Sequence, residues 1–433
     1  MGATRVRVCL DGRRATNSGI GRAANALIAA ATRYAAKDLT WILLAGGDGE
    51  GASAARKAGH EVITTGLNPI SSGESLHLSQ LLADIRADVF YTPLHYVGIG
   101  RSVPWIASFH DLAVLRYPEF LPTPAEVNFT YGNQTFDVMQ ETIRSAVDLF
   151  GPRSIHKLLD LPKSAQYRAH LSERTRILRA YILATHLVSV HRSALVHTCS
   201  RDSARDILHS FPGVKRKLRV VPNFLDPHFE NRRILPYEER LPSILFVSKW
   251  SRRKNIELLI DVAAELMEVA PSYIVNCVGK IPKGDYYSDL QARALRVTNI
   301  RLLGEVTDQE LAKLYQTALA GIVVSHHEGF SLPCIEAGAL GTPVLARGVG
   351  AINETNIGPC IVDSTEGARE IAVAIERATS DRDHWESLHA QALRNSAAFS
   401  ASRWWCVWEH MFREAHLRRA DQARSTETRY ARA

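Results

Sequence analysis

The feature that most constrains the fold of this chain is a strand–loop–helix–strand pattern in its second half. The run Ala320–Ser325 is short and apolar and ends in polar residues, which predicts a buried strand. Leu332 and Pro333 then predict a helix start, because proline is favoured at the first helical position. The helix runs through Leu340, and glycine and proline break it before the strand Val344–Ala346. Apolar strands alternating with helices predict an α/β fold with parallel sheets.

Two glutamates flank the start of this helix. Glu328 is predicted to lie in the loop at the carboxyl end of the strand, and Glu336 one turn into the helix. Between them the backbone N–H groups of Phe330, Ser331 and Leu332 are at a helix N-terminus, where backbone donors and the helix dipole favour an anion. Two carboxylates beside a phosphate cradle suit a ligand with hydroxyls on both sides of a phosphate, such as a sugar nucleotide.

This stretch resembles the E-x7-E signature of the retaining GT-B glycosyltransferases of family 4. Both glutamates, the G-F-x-L-P core, the E-A pair and the G-x-P-V end match, and Ser331 stands where the family has glycine. The resemblance implies that Glu328 contacts the hydroxyls of the donor sugar, that Glu336 holds the ribose, and that the amides between them hold the diphosphate.

A basic segment after another strand extends the resemblance. Residues 241–260 are similar to the strand, basic loop and helix that open the donor domain of the family. Lys254 matches the lysine that neutralises the donor diphosphate. Lys249 replaces the usual arginine and keeps its charge without the bidentate fork. Arg252 and Arg253 are expected to be solvated or to face a membrane.

Two segments of the first half are similar to the same family. Gly19 and Gly21 lie in a string that resembles its S-G-I-G-R loop, in which glycines let the backbone approach the donor phosphates, and Arg22 would help to neutralise them. The string is a poor dinucleotide fingerprint, since it does not follow its strand immediately. His110 and Asp111 resemble the segment that faces the acceptor. Asp111 would orient the imidazole or cap the next turn, and the resemblance implies that His110, Lys254 and Glu328 are catalytic.

The expected architecture is GT-B, with two Rossmann-like parallel-sheet domains facing a cleft. Residues 1–225 are predicted to form the acceptor domain, with a helical insertion at about 112–190, and residues 240–400 the nucleotide-sugar domain. Residues 401–419 form an aromatic helix that either crosses back onto the first domain or caps the second, and 420–433 are expected to be disordered. Basic and apolar residues alternate through 165–190, which fits a buried domain helix or a membrane-facing one.

The composition narrows the classes of partner. A net charge of +7 suits anionic partners such as nucleotides and a membrane surface. No zinc finger, helix-turn-helix or aromatic RNP motif supports nucleic acid. The sequence shows no signal-peptide core and no apolar run long enough to span a membrane. We therefore expect a cytoplasmic protein that is either free or bound peripherally to the inner face of the membrane. The six scattered cysteines are expected to be buried in a reducing compartment, and no metal or other cofactor is expected.

These features predict a retaining transferase that moves a hexose from a nucleoside diphosphate sugar to a hydroxyl acceptor. The acceptor would be a carbohydrate or a lipid-linked glycan in bacterial polysaccharide or glycolipid biosynthesis. Two alternatives stay open: a sugar-nucleotide epimerase on the same fold, and a non-catalytic subunit that binds the sugar nucleotide.

Overall fold

A computed structural model describes most of the chain in two compact units. The described residues are 5–13, 19–34, 36, 38–67, 74–93, 103–117, 120, 133–151, 173–358 and 361–430. Unit 1 comprises Met1–Phe224 and Ala401–Ala433, and unit 2 comprises Leu225–Ser400. The first unit is therefore built from two separate parts of the sequence, with the second unit inserted between them.

Unit 1 is centred on a seven-stranded sheet in the order β3-β2-β1-β4-β5-β6-β7, with every described pair parallel. Its strands are β1 (Val6–Gly12), β2 (Leu39–Ala45), β3 (Glu61–Thr64), β4 (Val89–Thr92), β5 (Trp105–Ser108), β6 (Leu195–Thr198) and β7 (Leu218–Val220). The sequence does not predict β6 and β7, which have four and three residues. Hydrogen bonding to the preformed sheet makes them strands.

Helices flank this sheet. They are α1 (Gly19–Tyr34), α2 (Glu50–Lys57), α3 (Glu74–Asp84), α4 (Ala113–Arg116), α5 (Asn133–Phe150), α6 (Glu173–Arg192) and α7 (Arg201–Ser210). The Ser200 side chain caps α7 by accepting a hydrogen bond from the Ser203 N–H. Helix α6 is largely buried from Leu178 to Val190, so the predicted domain helix is confirmed over its described residues. Residues 165–172 lie outside the described part.

The last helix, α15 (Ala401–Tyr430), belongs to unit 1. Trp408 and Phe412 are buried, and their rings pack against Tyr91 of the sheet at centroid distances of 5.4 and 6.0 Å. The predicted crossing back onto the first domain is therefore confirmed. The helix continues past 419, where its end was predicted, because residues 420–430 contain no glycine or proline to stop it.

Unit 2 has a six-stranded parallel sheet in the order β10-β9-β8-β11-β12-β13. Its strands are β8 (Leu241–Val247), β9 (Ile274–Val278), β10 (Ile300–Gly304), β11 (Ala318–Val323), β12 (Val344–Arg347) and β13 (Ile361–Val362). Its helices are α8 (Ile256–Val269), α9 (Asp285–Ala294), α10 (Asp308–Thr317), α11 (Leu332–Ala339), α12 (Ile352–Thr355), α13 (Ala368–Ser380) and α14 (Arg382–Ala397). The predicted doubly wound arrangement places the loops after β8 and β11, which are neighbours in the sheet, at one edge.

The cysteine prediction holds in part. Four of the five described cysteines are buried, but Cys406 is exposed on the outer side of α15. Cys360 lies outside the described residues. Over the described part of the chain, no helix combines the length and the apolarity that a bilayer crossing requires.

Candidate donor site in unit 2 and acceptor segment in unit 1

Lys254 and Glu328 form a buried ion pair in unit 2. Lys254 ends a short 3₁₀ turn after β8, and Glu328 lies in the loop after β11, so neighbouring strands deliver both side chains to one sheet edge. The Lys254 Nζ donates to Glu328 Oε1 at 2.5 Å, and Ser325 Oγ donates to the same oxygen at 2.6 Å. Their side chains are only 14% and 5% exposed. Two residues predicted to act on the donor are thus brought together.

Arg253 also faces this site, which corrects the expectation that it is solvated or membrane-facing. Its Nη1 lies 3.5 Å from Glu328 Oε2 and donates to the carbonyl of His327 at 3.2 Å. Arg252 instead stacks its guanidinium on the ring of Tyr286, 3.7 Å from the centroid. The two adjacent arginines diverge because the backbone turns between them.

The charges around Glu328 decide its ionisation. Burial favours the neutral acid, but the charges of Lys254 and Arg253, with hydrogen bonds from Lys254 and Ser325, outweigh burial and lower the pKa of Glu328. The carboxylate is therefore ionised at neutral pH. Around Glu328, one negative charge faces the two positive charges of Lys254 and Arg253.

The backbone at Gly350 packs directly against the backbone of Glu328. Its φ of +57° is in the left-handed region, and a Cβ there would lie 2.3 Å from the Glu328 carbonyl oxygen. That oxygen accepts a hydrogen bond from the Ala351 N–H at 2.8 Å. Only glycine lets the two backbones approach this closely.

Glu336 is buried on α11, as predicted, at the fifth helical position. The Tyr315 hydroxyl donates to Glu336 Oε2 at 3.2 Å. Tyr315 lies on α10. The Tyr315 hydroxyl on α10 therefore orients the Glu336 carboxylate on α11.

The start of α11 carries the three predicted amides. Leu332 is the first helical residue and Ser331 precedes it with φ +74° and ψ +72°. This left-handed conformation favours glycine, which explains why the family pattern has glycine at this position. The Ser331 Oγ contacts Cys334 Sγ at 3.3 Å, and the buried Phe330 packs edge-on against Phe399.

Lys249 is exposed in the loop after β8. Ser248 and Trp250 on either side are tied to the β9 loop, since their N–H groups donate to Val278 and Lys280 carbonyls at 2.9 and 3.0 Å. Gly279 of that loop has φ +134°, and a Cβ there would lie 2.1 Å from the Ser248 oxygen. The backbone at Lys249 is thus fixed, whereas its side chain is exposed and is not part of the Lys254–Glu328 ion pair.

In unit 1, His110 and Asp111 follow β5. The His110 Nε2 lies 3.1 Å from the Pro93 carbonyl oxygen. A carbonyl only accepts, so Nε2 carries the proton and Nδ1 of the neutral ring is an acceptor. Burial lowers the pKa of His110 despite the nearby Asp111 charge, so the ring is neutral at neutral pH. Asp111 Oδ1 accepts from the Ala113 N–H at 2.9 Å and so caps α4.

Gly19 and Gly21 form the first turn of α1 rather than the loop that the sequence predicts. Gly21 is buried, and a Cβ at Gly19 would have open space within 4 Å. The helix continues from Gly19 into Arg22, Ala23 and Ala24, which are good helix formers. Residues 14–18, the rest of the predicted loop, lie outside the described residues.

Sequence reasoning assigned no role to a buried charge cluster at the end of β1. Arg13 Nε donates to Asp11 Oδ1 at 2.9 Å and its Nη1 donates to Glu74 Oε1 at 2.7 Å. Burial raises the pKa of Glu74, although the Arg13 charge opposes it. Two charged residues directly after a buried strand were the available signal. The Arg13 and Asp11 side chains are 1% exposed, so the cluster fixes the β1 edge rather than meeting a ligand.

Part of unit 2 is similar in sequence to known proteins. Residues 228–394 match the family model of glycosyl transferases group 1. The chain is 28% identical over 269 residues to a D-inositol 3-phosphate glycosyltransferase of Corynebacterium aurimucosum, covering 60% of this chain and 62% of that protein. It is 28% identical over 174 residues to a glycogen synthase of Mycobacterium tuberculosis, covering 39% and 41%. The chain thus spans less than two thirds of the length of these relatives.

The fold is shared over nearly the whole chain. The Anabaena HepE structure in complex with UDP-glucose superposes with a TM-score of 0.63 at 15% identity, covering 97% of this chain and all of that one. The chain therefore has the GT-B fold of two parallel-sheet α/β units, and the part of unit 2 given above is similar to the glycosyl transferases group 1 model.

Proposed function

We propose that this chain is a retaining glycosyltransferase that moves a hexose from a nucleoside diphosphate sugar to a hydroxyl acceptor. The observation that carries the proposal is the buried Lys254–Glu328 pair beside the start of α11, within residues that match the group 1 model. Bacterial polysaccharide or glycolipid biosynthesis is the process we infer, since the relatives above make glycogen and an inositol glycoside by their names.

The donor would use each part of the unit 2 site. Glu328 would accept hydrogen bonds from sugar hydroxyls, and Glu336 from the ribose. Lys254, Arg253 and the amides of Phe330, Ser331 and Leu332 would hold the diphosphate. An ammonium has three donors, so Lys254 can keep Glu328 and still contact a phosphate oxygen.

Leaving-group stabilisation would supply most of the rate. When the bond between the sugar and the diphosphate breaks, negative charge grows on the diphosphate. Fixed donors at Lys254 and the α11 start then bind the transition state more tightly than the ground state. These groups supply the positive charge that a metal ion supplies in other transferases, so we propose that the activity persists in EDTA.

The acceptor would meet unit 1 at His110. The neutral ring presents Nδ1 as an acceptor, so it can receive a hydrogen bond from an acceptor hydroxyl or from the sugar. Gly19 and Gly21, at the α1 N-terminus, would bring backbone donors to the phosphates, and Lys249 would add charge from its exposed position. The net charge of +7 supports peripheral binding to an anionic membrane.

The first experiment measures the melting temperature of the full chain with UDP, GDP, ADP and their sugar conjugates, with and without EDTA. Ligand at about 100 times its Kd stabilises by about 2.7 kcal/mol, a shift of a few degrees. One nucleotide giving that shift in both conditions identifies the donor class. The retaining assignment is then read from the anomeric proton coupling of the product by NMR.

Matched variants separate the proposal from its alternatives. Glu336→Ala should weaken nucleotide binding about tenfold or more, while Glu268→Ala, at an exposed position of α8, should leave it unchanged. Donor binding without transfer to any acceptor would favour a non-catalytic subunit. Conversion of the donor without acceptor would favour an epimerase, and no nucleotide shift at all contradicts the proposed donor site.

A further inference from the structure

Unit 1 contains a cavity of about 760 Å³ between α4, α6 and α7. Its volume is in the range of small-molecule sites in proteins. Its apolar side is formed by Leu112, Leu115, Leu183 and Phe211, two of which are nearly inaccessible to solvent. An apolar surface of this kind gains free energy when a hydrocarbon or aromatic group covers it.

The opposite side of the cavity is polar. Asp202 and Asp206 are one turn apart on α7 and line it together with Arg116 and Arg205. Arg116 pairs with Asp206 Oδ1, and Arg205 Nη2 donates to Asp202 Oδ1 at 2.8 Å. Each carboxylate therefore has an arginine partner, so the lining is close to neutral. A neutral hydroxylated ligand fits it better than a free cation.

One buried atom lacks a partner. The Asp206 side chain is 10% exposed, and no hydrogen-bond donor of the described residues reaches its Oδ2. A buried acceptor without a donor costs free energy, which a ligand hydroxyl would recover. The arginine already compensates the charge, so the missing group is a hydrogen-bond donor rather than a second positive charge.

The cavity adjoins the acceptor segment. The Ser203 Oγ of α7 donates to the His110 carbonyl oxygen at 2.9 Å, between the two cavity aspartates in sequence. Leu112, which lines the cavity, follows Asp111 directly. The cavity therefore lies beside the backbone of the segment that contains His110.

We propose that this cavity binds the carrier part of the acceptor, namely a saccharide joined to an apolar group. The apolar group covers Leu115, Leu183 and Phe211, and a sugar hydroxyl donates to Asp206 Oδ2. This role rests on the proposed transferase function, because it assigns the acceptor class to the acceptor side of that reaction.

The test compares 4-nitrophenyl hexosides with the methyl hexosides of the same sugars, by isothermal titration on the full chain. The aryl glycosides should bind about tenfold tighter or more, because only they cover the apolar side. Asp206→Asn replaces the Oδ2 acceptor by an amide and should weaken aryl glycoside binding about tenfold. The matched control Asp148→Asn, at an exposed position of α5, should not change it.

A second variant fills the cavity without touching the carboxylate. Leu115 is half-buried, so Leu115→Trp should fold, occupy the apolar side and remove the preference for aryl over methyl glycosides. Equal binding of aryl and methyl glycosides to the parent chain, or an unchanged affinity in both variants, overturns the inference.

Nucleotide binding is measured on the same samples. It distinguishes a failure of the cavity assignment from a failure of the proposed donor site. A retained nucleotide shift with no binding of any hexoside overturns the cavity assignment and leaves the transferase standing. Aryl glycoside binding that depends on Asp206, without a shift by any nucleotide, supports the cavity and contradicts the proposed donor site.

Discussion

Lys254 and Glu328 neutralise each other in a place from which water is largely excluded. Each side chain therefore depends on the other for its charge state, and the loss of Lys254 leaves Glu328 with the longer ion-pair contact to Arg253. The pair positions the ammonium before a donor arrives, so little reorganisation is needed when charge develops on the leaving diphosphate.

Replacing Lys254 by alanine should chiefly reduce turnover. We expect kcat to fall by about 10²–10³, because the variant lacks the charge that stabilises the departing diphosphate. The pKa of Glu328 should rise, since Lys254 is the strongest charge that lowers it. Steady-state kinetics measures the first effect. Lys313→Ala, exposed on α10, is the control, and a parent-like rate in Lys254→Ala contradicts the site assignment.

Ser331→Gly should be tolerated or stabilising. The left-handed φ of +74° costs serine about 1 kcal/mol, which glycine avoids, although glycine gains entropy in the unfolded chain. The free energy of unfolding should change by less than about 1 kcal/mol, whereas Ser331→Val should lose about 1–2 kcal/mol. Urea titration checks both values. A clear loss of stability in Ser331→Gly would show that the contact with Cys334 outweighs the strain.

Residue identity was predictable at this site, but residue pairing was not. Glu328 and Glu336 follow from their positions after a strand and at a helix start, and Lys254 follows from the family resemblance. The contact between Lys254 and Glu328 joins loops 74 positions apart, and the inward turn of Arg253 depends on a backbone path that no periodicity encodes. Both follow from the order of β8 and β11 in the sheet.

At the scale of elements, the Glu328 loop is held by the segment after β12. Gly350→Ala should push the two backbones apart, because its Cβ would lie 2.3 Å from the Glu328 oxygen at a φ of +57°. We expect a loss of about 1–3 kcal/mol of stability and about tenfold weaker donor binding.

The control for this loop is Gly213→Ala, whose Cβ has open space within 4 Å. Melting curves with and without the nucleotide measure both effects. If Gly350→Ala binds the nucleotide as the parent does, the loop does not control the position of Glu328.

Elements with a strong periodic signal were predictable, and their ends were not. The aromatic spacing of α15 predicts a helix with one buried face, which Trp408 and Phe412 confirm. The start of α1 at Gly19 was missed because glycine normally signals a loop. Strands β6 and β7 were missed because their pairing depends on the neighbouring strands.

At the scale of the whole molecule, buried histidines make unit 1 sensitive to acid. Burial lowers the pKa of His197 to about 3 and that of His186 to about 4. The unfolded chain binds a proton on each near pH 6.5, while the folded chain does not. Stability is therefore complete above pH 6.5 and falls as the pH drops toward 4.

We expect protonation of each histidine in the unfolded chain to lower the free energy of unfolding by about 2 kcal/mol between pH 7 and pH 5. In His197→Gln, unfolding should take up about one proton fewer, so the free energy of unfolding should depend less on pH. The substitution also removes hydrogen bonds to Ser108 and Val221 and therefore lowers stability at both pH values. His77→Gln, exposed on α3, is the control. Urea unfolding at both pH values gives the slope, and an unchanged slope in His197→Gln contradicts the buried neutral state.

The two-unit architecture was predictable from two sets of alternating strands and helices and from one terminal amphipathic helix. The polar contacts inside unit 1 were not. Tyr91, Ser108 and His197 form a hydrogen-bonded chain across three strands of the sheet, and only the strand order brings these residues together.

The discontinuous sequence of unit 1 has a consequence for synthesis on the ribosome. The surface of Tyr91 and Trp41 that α15 covers is translated early, and α15 is translated only after unit 2. All of Leu225–Ser400 must emerge in between, which takes roughly ten to thirty seconds at 5–20 residues per second. During that time the nascent chain exposes an aromatic surface, so the folding of unit 1 should depend on chaperone protection until α15 has been synthesised.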